Sequence, residues 1–218
     1  DYTARLHFWA GSAQVRLDFT VENNHPLLWD ETGQPTNDHD QGAINSVYMG
    51  GLLLRLRLRN TGSALRVIGE ESVDVAAPGS TVRLIQYGSG TTNWDSYVGL
   101  VGWPGQEASA NPRLQSYCPG PGFQITGAGG TVTGMQSLGW LTAFRTDATG
   151  PRLTMAVRDF RQNFPKAIEA APDGTMAVNL FPDGSRFRHN LRVGEQKTHS
   201  ILLSFGLGPG AAADSERE

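Results

Sequence analysis

Leu52, Leu54, Leu56 and Leu58 alternate with Leu53, Arg55, Arg57 and Arg59 in the run GLLLRLRLRN. A period of two sends successive side chains to opposite faces of an extended strand, so one face of this segment belongs to a core and the other to water or a partner. The same pattern recurs in YTARLHFWAG, AQVRLDFTVEN, STVRLIQYG, LGWLTAFRT, PRLTMAVRDF, GTMAVNLFP and KTHSILLSFG, which are rich in β-branched or aromatic residues and bounded by turn formers. Clusters of Gly, Pro, Asn and Asp return at intervals of roughly ten to fifteen residues, the spacing of an all-β chain. The expectation is an all-β fold in which two large antiparallel sheets pack as a sandwich. Only SAQ separates the first two strands, so they should form a hairpin. FPKAIEAA reads equally as a helical turn closed by Pro172, Asp173 and Gly174 or as a strand over KAIEA.

With 218 residues the chain suits one domain. Residues 1–208 are assigned to the sandwich and 209–218, PGAAADSERE, to a linker or disordered tail. The start, DYTARLHFWAG, has no Met and enters a strand at once, which reads as a segment of a longer multidomain protein. A net charge of -3 and the lack of a basic tract argue against nucleic acid as a partner. No stretch approaches the roughly 18 apolar residues of a membrane span. Cys118 is the only cysteine, which excludes an internal disulfide. No phosphate loop, nucleophile elbow, CxxC pair or HExxH helix is present, so nucleotide chemistry and the common hydrolase motifs have no foothold.

Two long irregular stretches, 24–50 and 88–130, are expected to carry function or wrap a groove. The first holds Asp38, His39 and Asp40, oxygen-rich enough to consider Ca²⁺ but without the spacing of an EF-hand. A solvated turn is expected there, with no metal site and no cofactor. The second holds Trp94, Tyr97 and Trp103 among glycines. That composition suits stacking on sugar faces, or equally rings packed beneath the loop or against a neighbouring domain.

The densest polar run is AVRDFRQNFPKAIEAAPDG. Arg158, Arg161 and Lys166 are suitable partners for a carboxylate, and Gln162 and Asn163 can hydrogen-bond a carboxylate or sugar hydroxyls. If residues 152–160 form a strand, Thr154, Ala156, Arg158 and Phe160 share one face, and Leu153, Met155, Val157 and Asp159 the other. Arg158 then looks outward. The run reads either as a structural exit, with an Arg158–Asp159 pair and a buried Asn-Phe-Pro corner, or as a ligand or domain contact. In KTHSILLSF, Lys197, His199, Ile201 and Leu203 share a face, where His199 is a polar candidate or a hydrogen-bonded structural residue. His189, His199 and Glu195 supply the residue types of a mutarotase, without a spacing that specifies one.

ARLHFWAGSAQVRLDFTVENN, GWLTAF followed by MAVRDFRQNFPKAIEA, then LFP and GEQKTHSILLSF resemble the central β-sandwich domain of the exo-rhamnogalacturonan lyase and YetA-like proteins. The resemblance runs from about residue 3 to 206, and R-D-F-x-Q-N-F-P-K with K-T-H-x-I-L-L-x-F is its most specific part. It implies a galactose-mutarotase-like supersandwich from a secreted or extracytoplasmic polysaccharide lyase acting on pectic polysaccharide or oligosaccharide. It further implies a barrel-like domain before the sandwich and an (α/α) toroid after it. A uronate lyase must neutralise a carboxylate, accept a proton and donate one to the leaving oxygen. No catalytic motif of the family maps residue by residue onto this chain, so the catalytic residues are unassigned and the isolated domain is expected to be inactive. The competing expectation is a non-catalytic carbohydrate-binding or structural interdomain module. The substrate or interface candidates are Arg158, Arg161, Gln162, Asn163, Lys166, His199, Trp94, Tyr97 and Trp103.

Overall fold

A computed structural model of the chain describes residues 1–24, 37–38, 42–43, 47–49, 51–58, 65–69, 80–88, 90, 122–127, 129–145, 150–182 and 189–207. In chain order the strands are β1 (Tyr2–Phe8), β2 (Gln14–Glu22), β3 (Asn37–Asp38), β4 (Gly42–Ala43), β5 (Val47–Met49), β6 (Leu52–Arg57), β7 (Leu65–Ile68) and β8 (Val82–Gln86). They continue with β9 (Phe123–Gly127), β10 (Gly130–Gly134), β11 (Trp140–Arg145), β12 (Pro151–Val157), β13 (Lys166–Ala170), β14 (Thr175–Phe181), β15 (His189–Leu191) and β16 (Gln196–Leu207). No helix occurs among the described residues.

Two six-stranded antiparallel sheets make a β-sandwich, one in the order β1-β2-β16-β12-β11-β7 and the other β10-β9-β8-β13-β14-β6. The hairpin expected at the start is present, with Tyr2 opposite Val21 and Phe8 opposite Val15. Its turn runs through Trp9 to Ala13 rather than SAQ, closed by the Ser12 amide donating to the Trp9 carbonyl at 3.1 Å. KAIEA resolves as strand β13, because β8 and β14 flank it on both sides and satisfy its backbone. Phe123–Gly127 and Val47–Met49 are strands inside stretches expected to be irregular, the short FQITG being masked in sequence by the glycines around it.

The core follows from alternation. Leu153, Met155 and Val157 on β12, Ile201 and Leu203 on β16, Val82 and Leu84 on β8, and Met176 and Val178 on β14 are buried in one cluster between the sheets. Leu52 and Leu54 pack against it and Leu58 is buried, as the leucine alternation requires. Leu56 departs from that pattern at 38% exposure, on the outer strand of its sheet. A larger exposure lies on β1. Tyr2, Leu6 and Phe8 on β1 share the inward side of their sheet with Val15, Leu17 and Val21 of β2, yet Tyr2 is 74% and Phe8 71% exposed.

Among the described residues, one irregularity interrupts the ladders of the second sheet. In the ladder between β14 and β6, Asn179 faces Leu53 but Phe181 faces Leu52, so Leu180 is an extra residue, a β-bulge. The bulge brings Phe181 to the side of Leu52, toward the core, where simple alternation from Val178 would turn it away. With its amide nitrogen turned toward them, Asn179 fastens the bulge to the carbonyls of Phe181 and Leu52 at 2.9 and 3.1 Å.

Candidate functional site

β12 ends at Val157, and residues 158–163 form a compact turn in which the amides of Gln162 and Asn163 both donate to the Asp159 carbonyl, at 3.1 and 2.9 Å. Asp159 adopts a positive φ of 54°, which breaks the strand and reverses the expected facing of the next residue. Phe160 therefore does not share a face with Arg158. It turns into the core at 2% exposure, lying over Gly139, whose φ of 83° and missing Cβ leave room for the ring. The Phe164–Pro165 peptide bond is cis. The corner is thus pinned by Phe160, while Asn163 is exposed and Phe164 and Pro165 are half-buried, not the buried Asn-Phe-Pro corner expected.

The polar residues of the turn divide cleanly. Arg158, Gln162 and Asn163 face solvent, and Arg158 reaches Asp159 at 3.6 Å in an ion pair whose side chains are 76% and 54% exposed. Such a pair contributes little to stability. The Arg161 guanidinium donates to the Gln136 side-chain oxygen at 2.7 Å, which ties the turn to residues 135–139.

Those residues hang on one buried glutamine. Gln86 donates to the carbonyls of Gly88 and Met135, at 2.6 and 3.1 Å, and accepts from the Ser137 amide at 3.0 Å. The hydroxyl of Ser137 in turn accepts from the Gly139 amide at 2.9 Å, and the Gly139 carbonyl accepts from Val157. The chain beyond Gly88 departs from this same place, since a Cβ on Gly90 would overlap the Met135 carbonyl. It returns where the Tyr87 amide donates to the Gly122 carbonyl at 2.9 Å. The segment carrying Trp94, Tyr97 and Trp103 is therefore rooted beside the turn carrying Arg158 and Arg161, although those three aromatic residues lie outside the described residues. Gln86 and Gln136 are not among the residues that the sequence singles out. Gln86 shares its strand face with Val82 and Leu84, a period-two signal for an inward glutamine.

Lys166 and His199 stand apart from the surface turn. Lys166 is 2% exposed and His199 8%, so neither is an outward contact. Lys166 lies on the inward face of β13 with Ile168 and Ala170, and His199 on the inward face of β16 with Ile201 and Leu203. The two sheets bring them together around Phe181, whose ring has the Lys166 ammonium 5.7 Å from its centroid and the His199 imidazole edge-on at 5.6 Å. The bulge supplies both the ring and the acceptor: Lys166 Nζ donates to the carbonyl of Leu180, the residue left out of register, at 3.2 Å.

Burial, then the nearby positive charge of Lys197, holds the Lys166 pKa down to about 8. Burial, then the charges of Lys166 and Lys197, holds His199 down to about 3, so its imidazole is neutral at pH 7. The Ca²⁺ candidates fall largely outside the described residues: only the backbone of Asp38 is described, in β3, and His39 and Asp40 are not. Among the described residues no group of three or more His, Cys, Asp or Glu side chains is placed to hold a metal ion.

No family model matches the chain, and no curated protein matches it.

Proposed function

We propose that this chain is the β-sandwich of a multidomain polysaccharide lyase similar to the exo-rhamnogalacturonan lyases, and that the end bearing residues 158–163 forms one wall of the cleft for an acidic pectic chain. The observation that carries the reading is the turn itself. The run R-D-F-R-Q-N-F-P-K buries Phe160 as its anchor and leaves Arg158, Gln162 and Asn163 exposed, with Arg161 held by Gln136. Two guanidinium groups and two amides on one rigid turn can engage a carboxylate and the adjacent hydroxyls of a uronate. Gly90 and Gly122, which flank the 91–121 segment, are held at residues 134–135 and 87 beside that turn. In this reading the sandwich binds, and the catalytic groups come from the toroid of the parent protein.

Calorimetric titration with saturated and unsaturated rhamnogalacturonan oligosaccharides tests it, run beside ultraviolet absorbance for new unsaturated uronate. Saturable heat without new absorbance is expected. Heat that is unchanged when Arg158 and Gln162 are both replaced by Ala would remove the turn from the site, and absence of any heat would leave no carbohydrate role for this chain.

A second reading, a structural interdomain module, is favoured by one observation. The inward side of the β1 sheet exposes Tyr2, Leu6 and Phe8, and at the far end of β16 Phe205 is 42% and Leu207 68% exposed. Exposed apolar side chains of this kind suit a contact with another domain. The two roles are compatible, since they use different parts of the molecule.

A further inference from the structure

The basic pair between the sheets has unmet hydrogen-bonding capacity. Lys166 has three donors and one hydrogen bond. The Nε2 atom of His199 is buried and has no hydrogen-bond partner. Among the described residues no carboxylate reaches either group: Glu195 is engaged with Lys197 at 3.4 Å, and Glu169 lies on the opposite face of β13 with Arg83 at 3.0 Å. A buried cation and a buried imidazole nitrogen without a partner are each costly, and the cost falls when an anionic acceptor completes the ammonium and fixes the imidazole tautomer that donates to it. The ammonium and the imidazole come from opposite sheets and lie 5.7 and 5.6 Å from the centre of the same Phe181 ring.

We propose that Lys166 and His199 form an anion site between the sheets, for a single small carboxylate or an inorganic monoanion of similar size, with Lys197 at its mouth. The charge sets the class. One enclosed ammonium balances one negative charge, and a dianion would bring a second charge into the core unopposed. Lys197 lies on the same face of β16 as His199 and its side chain is 41% exposed, which makes it the link between the pair and solvent. The Glu195 carboxylate already bound to Lys197 is the group an incoming anion displaces. In the bound state the His199 proton sits on Nε2 and is donated to the anion, as are the free ammonium hydrogens of Lys166. The inference is independent of the sugar-binding turn and stands if that reading fails.

The test uses the whole chain at pH 7, titrated with sodium acetate or formate while the sodium salt of a bulky sulfonate buffer keeps ionic strength constant. The expected result is a saturable rise in Tm, accompanied by a saturable shift of the His199 imidazole signals in the NMR spectrum while those of His7 stay in place. Lys166→Met should abolish both responses, and Lys197→Gln, which touches only the mouth, should weaken apparent affinity about tenfold. A Tm response that is absent, or that is linear and equal in wild type and Lys166→Met, overturns the site. So does a saturable Tm response that leaves the His199 signals unmoved, which the wild-type chain reports without any variant.

Discussion

Replacing Lys166 with Met should make the protein more stable at neutral pH. The side chain is 2% exposed, and its pKa is held at about 8 against an ordinary value of 10.5. At about 1.4 kcal/mol per pH unit, that displacement means the charged lysine costs the folded state about 3 kcal/mol wherever it is protonated in both states. The sign follows from proton binding. Between about 8 and 10.5 the unfolded chain holds the proton and the folded chain does not, so wild-type stability rises with pH across that window. Below the window the full cost is present. Met keeps the length of the side chain without the charge. Its gain is offset by the lost bond to Leu180 and the contact with Phe181, about 1.5 kcal/mol together. The net expectation in anion-free buffer is a stabilisation of about 1 to 2 kcal/mol at pH 7. With a slope near 3 kcal/mol per molar for a chain of this size, the urea midpoint rises by about half a molar. Urea unfolding of both proteins at several pH values from 7 to 10.5 measures it. The reasoning fails if the variant is less stable than wild type at pH 7, or if the difference between the two does not shift in favour of wild type as the pH passes through the window.

His199→Leu should flatten the acid limb of the stability curve. The folded pKa of about 3 lies below the ordinary 6.5, so the wild-type contribution is intact above 6.5 and is lost as pH falls toward 3, at about 1.4 kcal/mol per pH unit, which acid unfolding monitored by fluorescence will show. Gly139→Ala places a Cβ against Phe160 at a φ of 83°, and a loss of about 3 kcal/mol is expected by urea unfolding. Phe160→Ala should cost about 3 to 5 kcal/mol, whereas Arg158→Ala, with a side chain 76% exposed, should stay within about 0.5 kcal/mol and lower only the heat of oligosaccharide titration.

The strands that alternate cleanly were legible. GLLLRLR, QVRLDF, TMAV and THSILLSF carry a period of two that the ladders reproduce, and the facing of His199 with Ile201 and Leu203 followed from it. What was not legible is where that period slips. A single positive φ at Asp159 turns Phe160 inward, and nothing in R-D-F announces it, because Asp tolerates that conformation without requiring it. Lys166 resembles a surface cation because it sits in a charged run. Its burial is set by the company of Ile168 and Ala170, a signal that becomes usable only once KAIEA is known to be a strand. The polar root at Gln86 was hidden for a different reason: its partners at 135 and 137 are brought to it by long-range pairing of β8, β9 and β10.

The bulge at Leu180 amounts to a half-period shift in the phase of one strand. Were β14 to keep its length and run through this point in strict alternation, Asn179 and Phe181 would point the same way and the aromatic ring would leave the interior. Deleting Leu180 restores alternation by the other route. The ring then stays opposite Leu52, but the carbonyl that stands off the ladder is gone, and Lys166 keeps its aromatic neighbour while losing its acceptor. A one-residue length change is the kind of variation that an alignment scores as a minor gap. In this sandwich it decides whether a buried ammonium on the neighbouring strand has an oxygen to meet.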